Sequence, residues 1–210
     1  VKIDAKEVLR YMRAKDSGEQ FLPVIDEVSS YLIKNIIPIK SIGFYDIEKT
    51  DNGVCLIGTG VEFRGNLVTA RLKHSSRIAL VTATLGIKSE NYLASLAANM
   101  LKSLAADAAM SAMLESYLDD IESEIRASQA SNGYTVSGRF SAGYGDFSIT
   151  AQKDIIRLLN AEKLLGVRLK ESYMLYPNKS VTAIIGIGKE EVNSSGCANC
   201  NNNSSCGYKK

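Results

Sequence analysis

Apolar side chains recur along the chain in two rhythms, and the switches between them outline the elements. Val8, Leu9 and Met12 share one face of residues 5 to 14. Phe21, Val24, Ile25, Val28, Tyr31 and Leu32 then repeat at steps of three and four, so two amphipathic helices open the chain. Pro38 stops the second, and the β-branched run IIPIKSIGFYDIEKT predicts a strand. The turn at Asp51, Asn52 and Gly53 predicts a hairpin to a second strand, VCLIGTGVEF. Residues 66 to 74 carry a short helical pattern, and RIALVTATLG is a continuous apolar run, as a strand buried on both faces requires.

From Ser89 to Ser128 a long helical pattern, broken near Ala98, places Leu101, Leu104, Ala108, Leu114, Leu118, Ile121 and Ile125 on one stripe. A glycine-broken turn at Arg139 to Asp146 precedes a helix starting near Ser148. Residues Glu171 to Tyr176 and VTAIIGIG flank a Pro177-Asn178-Lys179-Ser180 turn and read as a hairpin, with most side chains in the core. Helices interleaved with antiparallel strands predict an α+β fold, a twisted antiparallel sheet with helices packed against it, over residues 1 to 190. Residues 191 to 210 form an Asn/Ser/Cys-rich tail with hardly an apolar side chain to bury, expected to be extended unless something binds its cysteines.

Composition narrows the function classes. With 210 residues and 45% apolar content, one compact domain is expected. The net charge of +2 and the scattered Lys and Arg argue against a nucleic-acid partner. No apolar run approaches a membrane span and the opening VKIDAKEVLRYM is unlike a secretory leader, so a cytoplasmic protein is expected. His74 is the only histidine, which leaves no histidine-based metal centre or Cys-His relay; a surface position beside Lys73 and Ser75 is the ordinary explanation.

Two segments carry candidate chemistry. In the turn, Gly143 and Gly145 let backbone N–H groups approach a ligand, Arg139 offers a planar fork to a carboxylate, and Tyr144 offers a ring with a polar tip. On pattern alone the same turn reads first as a plain glycine-rich bend joining a strand to the next helix. In the tail, Cys197, Cys200 and Cys206 offer three thiolates, the first two at a spacing familiar from zinc and iron–sulfur sites. A fourth ligand is missing; Cys55, a second chain or an exogenous group are the alternatives, or the thiols are free.

Arg139, Gly143 and Tyr144, followed by Tyr176, Pro177, Asn178, Lys179, Ser180 and Val181, resemble the Arg-x-x-x-Gly-Tyr and Met-x-Pro-x-x-Ser-Val turns of the activation domain of vitamin B12-dependent methionine synthase. The opening AKEVLRYMRAK, the TATLGI at Thr82 to Ile87 and Asp107 in its Ala-rich helix look like the small stand-alone members. The resemblance spans roughly residues 5 to 190. It implies binding of S-adenosylmethionine by Arg139, Ser141, Gly143 and Tyr144. Asp107 reads either as a further contact or as part of a helix-packing seam, bonded to a neighbouring backbone or Arg, and Tyr173 and Tyr176 are candidates for touching a ligand, weaker than Tyr144. It implies reductive reactivation of a cobalamin-dependent methyltransferase, with electrons from a reductant such as flavodoxin or ferredoxin.

The chain departs from the large synthases at Phe140, Ser141 and Ala142, where they have Pro, Ala and Pro, and at Gly145, Asp146 and Phe147, where their segment ends Pro-Asp-His. Their acid for the ligand's amino group falls here on Ser111, or on Glu115 if the register slips a turn. No Asp-x-His-x-x-Gly cobalamin signature is present, so action in trans on a separate corrinoid protein is expected. The alternative is a docking cap for that protein with no S-adenosylmethionine site, with or without a metal on its tail.

Overall fold

The computed structural model describes residues 1–14 and 18–189. Its frame is an antiparallel sheet of β1 (Ile39–Thr50), β2 (Gly53–Leu56), β3 (Val61–Arg64), β4 (Arg77–Thr84), β5 (Thr135–Val136) and β8 (Ser180–Gly188), in the order β3-β2-β1-β4-β8-β5. β1 pairs with β4 over Ile39–Asp46 and with β2 over Ile47–Thr50, so a single long strand carries the curl of the sheet. The small strands β6 (Arg168–Leu169) and β7 (Leu175–Tyr176) pair separately.

One face of the sheet meets α1 (Ala5–Tyr11), α2 (Leu22–Asn35) and α5 (Met100–Ala130); the other meets α3 (Asn66–Leu72), α6 (Gln152–Leu158) and α7 (Ala161–Leu165). α4 (Ile87–Ser95) leads into α5. Burial on both sides explains the continuous apolar run of β4: Ala79, Val81 and Ala83 join the first core, Ile78 and Leu80 the second.

α5 is long, about 46 Å at the usual helical rise. Asn99 caps its start by accepting from the Lys102 amide at 3.0 Å, and Gly133, at φ 73°, lies just past its end. Ala105, Ala106, Ala108, Ala109 and Ala112 are buried, a seam of small side chains that brings the helix close to Ala79, Ala83 and Ala183 of the sheet.

The α+β architecture matches the expectation, with three local differences. VCLIGTGVEF is two strands, β2 and β3, because Gly58 and Gly60 take positive φ (77° and 68°) and turn the chain between them. Leu101 and Leu104 are exposed rather than part of the core stripe, and burial along α5 begins at Ala105. Residues Glu171 to Met174 are exposed, and β7 pairs with β6 instead of forming a hairpin with β8. No helix among the described residues is long and apolar enough to cross a membrane.

Candidate functional site

The segment from Thr135 onward enters as an edge strand and leaves as a loop. β5 pairs with β8 at Ile187 and Gly188, and Phe140 exchanges both backbone hydrogen bonds with Ile184 before the chain departs. The loop then folds on itself: the Gly143 amide donates to the Phe147 carbonyl at 2.8 Å, the Phe147 amide to Tyr144 at 3.0 Å and the Tyr144 amide to Ser141 at 3.4 Å. Part of the expected cradle of amides is therefore spent internally. Gly143 (φ 92°) and Gly145 (φ 55°) adopt the conformations that favour glycine, and a Cβ on Gly143 would press on Ile149 at 3.0 Å. Tyr144 is 68% exposed at the rim, while Phe140 and Phe147 anchor the loop in the core.

Asp146, which the sequence did not single out, fixes the loop's far side. Its carboxylate accepts from the Leu67 amide at 2.9 Å and the Asn66 amide at 2.6 Å, at the start of α3. These backbone hydrogen bonds hold its carboxyl below the usual aspartate range.

Arg139 points at α5. Its guanidinium pairs with Asp119 at 2.7 Å, Glu115 at 2.8 Å and Glu122 at 3.3 Å, and its own amide donates to Glu122 at 3.3 Å. Burial works against the charged form, but the hydrogen bonds and charges of Asp119 and Glu115 outweigh it, so the guanidinium pKa is raised. Arg126 also pairs with Glu122, at 3.0 Å. Three carboxylates thus face two guanidinium groups, an excess of one negative charge within the cluster. Tyr11 of α1 belongs to the same neighbourhood: burial first, and then the Glu115 charge, raises its phenol pKa. Glu115, reachable from the sequence only through a one-turn register slip, is the acid beside Arg139, because α5 presents Asp107, Ser111, Glu115 and Asp119 at successive steps of four along one side.

Asp107 lies two turns away and is ion-paired with Lys179 at 2.8 Å; Lys179 also donates to Ser111 at 2.9 Å. The 177–180 turn is thereby tied to α5, and its other side is held by Glu90, which accepts from the Asn178 amide at 2.7 Å. Tyr176 lies under Arg168 and Lys170, 5.1 and 5.4 Å from its ring centre. Tyr173 has positive φ (60°), and its carbonyl accepts from Gln152 at 3.0 Å.

Between the Phe140 bridge and the 177–180 turn, the outer edge of β8 has no strand partner among the described residues over Val181 to Ala183. Ile184 turns both its amide and its carbonyl to Phe140, so by the alternation of an antiparallel ladder the Thr182 amide and carbonyl face the same open edge. One donor and one acceptor, side by side, sit near the loop that carries Arg139 and Tyr144. Periodicity identified β8 as a strand but carried no signal for which stretch of its edge would stay open.

Cys197, Cys200 and Cys206 lie outside the described residues, as does the tail of residues 191 to 210. Among the described residues no group of three or more His, Cys, Asp or Glu side chains is arranged to hold a metal.

No family model matches the sequence, and no curated protein matches it. The crystal structure of the MetH reactivation domain bound to AdoHcy is similar, with a TM-score of 0.68 at 15% identity, covering 93% of this chain and 72% of that one. The chain therefore has the fold of that domain, in agreement with the resemblance carried by the two turns.

Proposed function

We propose that this chain binds S-adenosylmethionine along the open edge of β8 and supports reductive reactivation of a B12-dependent methyltransferase, methionine synthase or a related corrinoid protein, in trans. The observation that carries this reading is the ion pair of Arg139 with Glu115 next to Phe140, which bridges Ile184 two residues from Thr182, in a fold shared with a solved domain bound to AdoHcy. The ligand's amino-acid end is a zwitterion. Its carboxylate matches the fork of Arg139, and its ammonium matches the surplus negative charge of Glu115 and Asp119. Binding in that way exchanges one protein carboxylate for the ligand's on Arg139. An adenine edge, which offers one donor beside one acceptor, is complementary to the Thr182 amide and carbonyl.

Tyr144, whose side chain is exposed, is the residue proposed to face a corrin ring presented by the partner. The chemistry, addition of one electron and a methyl group to cob(II)alamin with release of S-adenosylhomocysteine, belongs to the cofactors and the reductant. This chain's residues orient the ligand and exclude water.

A second reading, a docking cap without the nucleoside site, is favoured by the three acids that already satisfy Arg139. Calorimetric titration with S-adenosylmethionine and S-adenosylhomocysteine separates the two. Saturable binding is expected, weakened about tenfold or more in Arg139→Met and in Glu115→Gln, since hydrogen bonds to charged groups contribute roughly 1.5–3 kcal/mol. No binding by a folded wild-type chain that still associates with a corrinoid protein establishes the cap.

A further inference from the structure

α3 ends in a loop, residues 73 to 76, that packs against the far end of β8. The Ser76 amide donates to the Ile187 carbonyl at 3.0 Å, and a Cβ on Gly188 would stand 2.0 Å from the His74 carbonyl oxygen. At this junction an open cavity of about 410 Å³ is lined by Lys73, His74, Ser75, Ser76 and Lys189.

The C-terminal end of a helix normally presents carbonyl oxygens and repels an anion. Here those acceptors are taken. The Leu72 carbonyl accepts from the Ser75 amide at 2.9 Å and from the Lys49 ammonium, which also donates to the Ser75 carbonyl at 2.6 Å. The Ser76 carbonyl accepts from the Ile47 amide at 3.0 Å, and Gly188 packs against the His74 carbonyl. What the loop leaves to the cavity is mostly donors: two ammonium groups, an imidazole and two serines, with no carboxylate among the lining residues.

We propose that the cavity binds a phosphate dianion, either free or as the monoester of a small molecule. Lys73 and Lys189 bring two positive charges, and a phosphate monoester carries close to two negative charges at neutral pH. Lys189 is held over the Tyr134 ring, 5.9 Å from its centre, while Arg77, next along the chain, is already paired with Asp46 at 2.9 Å. Ser75 is 4% exposed and its hydroxyl has no hydrogen-bond partner among the described residues, so a buried polar group at the cavity still lacks one.

The test uses the whole chain. His74 supplies the only imidazole signals, so proton NMR follows this one place in the molecule. Titration with inorganic phosphate at constant ionic strength should shift those signals saturably, with a Kd of about 1 mM or below from two charge-assisted contacts. Chloride at the same ionic strength should not. Phenyl phosphate, titrated in parallel, separates the two sources: tighter binding than inorganic phosphate assigns a monoester, and equal or weaker binding assigns free phosphate. Lys73→Gln and Lys189→Gln should each weaken phosphate about threefold or more, whereas Lys163→Gln, on α7, should leave it unchanged. The proposal is overturned by the absence of a saturable shift with both phosphates, by an equal shift with chloride, by unchanged affinity in the two cavity variants, or by equal weakening in Lys163→Gln.

Discussion

Asp146 shows how one side chain can join two distant segments without being buried. The first amides of a helix have no partner within it, and here a carboxylate from the loop supplies one for Asn66 and Leu67. Its folded pKa is depressed below the ordinary aspartate value of 3.8, so its contribution is fully present above that value and is lost as pH falls through the folded pKa. Asp146→Asn should lower the thermal midpoint at neutral pH, and the gap to wild type should close as pH drops below about 4, measured by melting at a series of pH values. The sequence flagged Arg139, Ser141, Gly143 and Tyr144 by the resemblance of their spacing, and the structure places all four on one loop. It assigned no role to Asp146 and reached Glu115 only as the alternative to Ser111 after a one-turn slip. Their roles depend on segments 79 or more residues away for Asp146, and on the register of α5 against the loop for Glu115.

At the scale of elements, α5 and β8 carry most of the construction. Ile121 is fully buried between α5 and the sheet, and Ile121→Ala should cost about 2–5 kcal/mol in chemical denaturation, from lost burial and the cavity left behind. β8 depends on closeness instead. A Cβ on Gly186 would lie 2.3 Å from the Ser75 hydroxyl oxygen and 3.1 Å from that of Ser137, so Gly186→Ala should destabilise by about 1–3 kcal/mol through overpacking. Helix α2 was legible because its apolar period matches its burial, and β4 and β8 because an unbroken apolar run matches burial on both faces. The break at Gly58 to Gly60 and the pairing of β7 with β6 were not. Two short apolar runs around a turn look alike whether they face each other or a third segment, and only tertiary packing distinguishes them.

The whole molecule is a sheet with a core on each face, and β4 and β8 contribute side chains to both. Such sharing predicts a single unfolding transition. Phe63→Ala in one core and Ile121→Ala in the other should shift the same midpoint, with far-ultraviolet dichroism and tyrosine fluorescence coincident; the chain has ten tyrosines and no tryptophan, so the optical probe is tyrosine alone. Two separated transitions would mean that the layers fold independently. The stretch of β8 around Thr182 that lacks a strand partner among the described residues has a further consequence for the molecule's behaviour in solution. Unoccupied strand borders template the addition of foreign strands, so a nucleoside lodged there acts as a stopper against self-association, and the ligand-saturated protein should remain monodisperse at concentrations where the empty one aggregates.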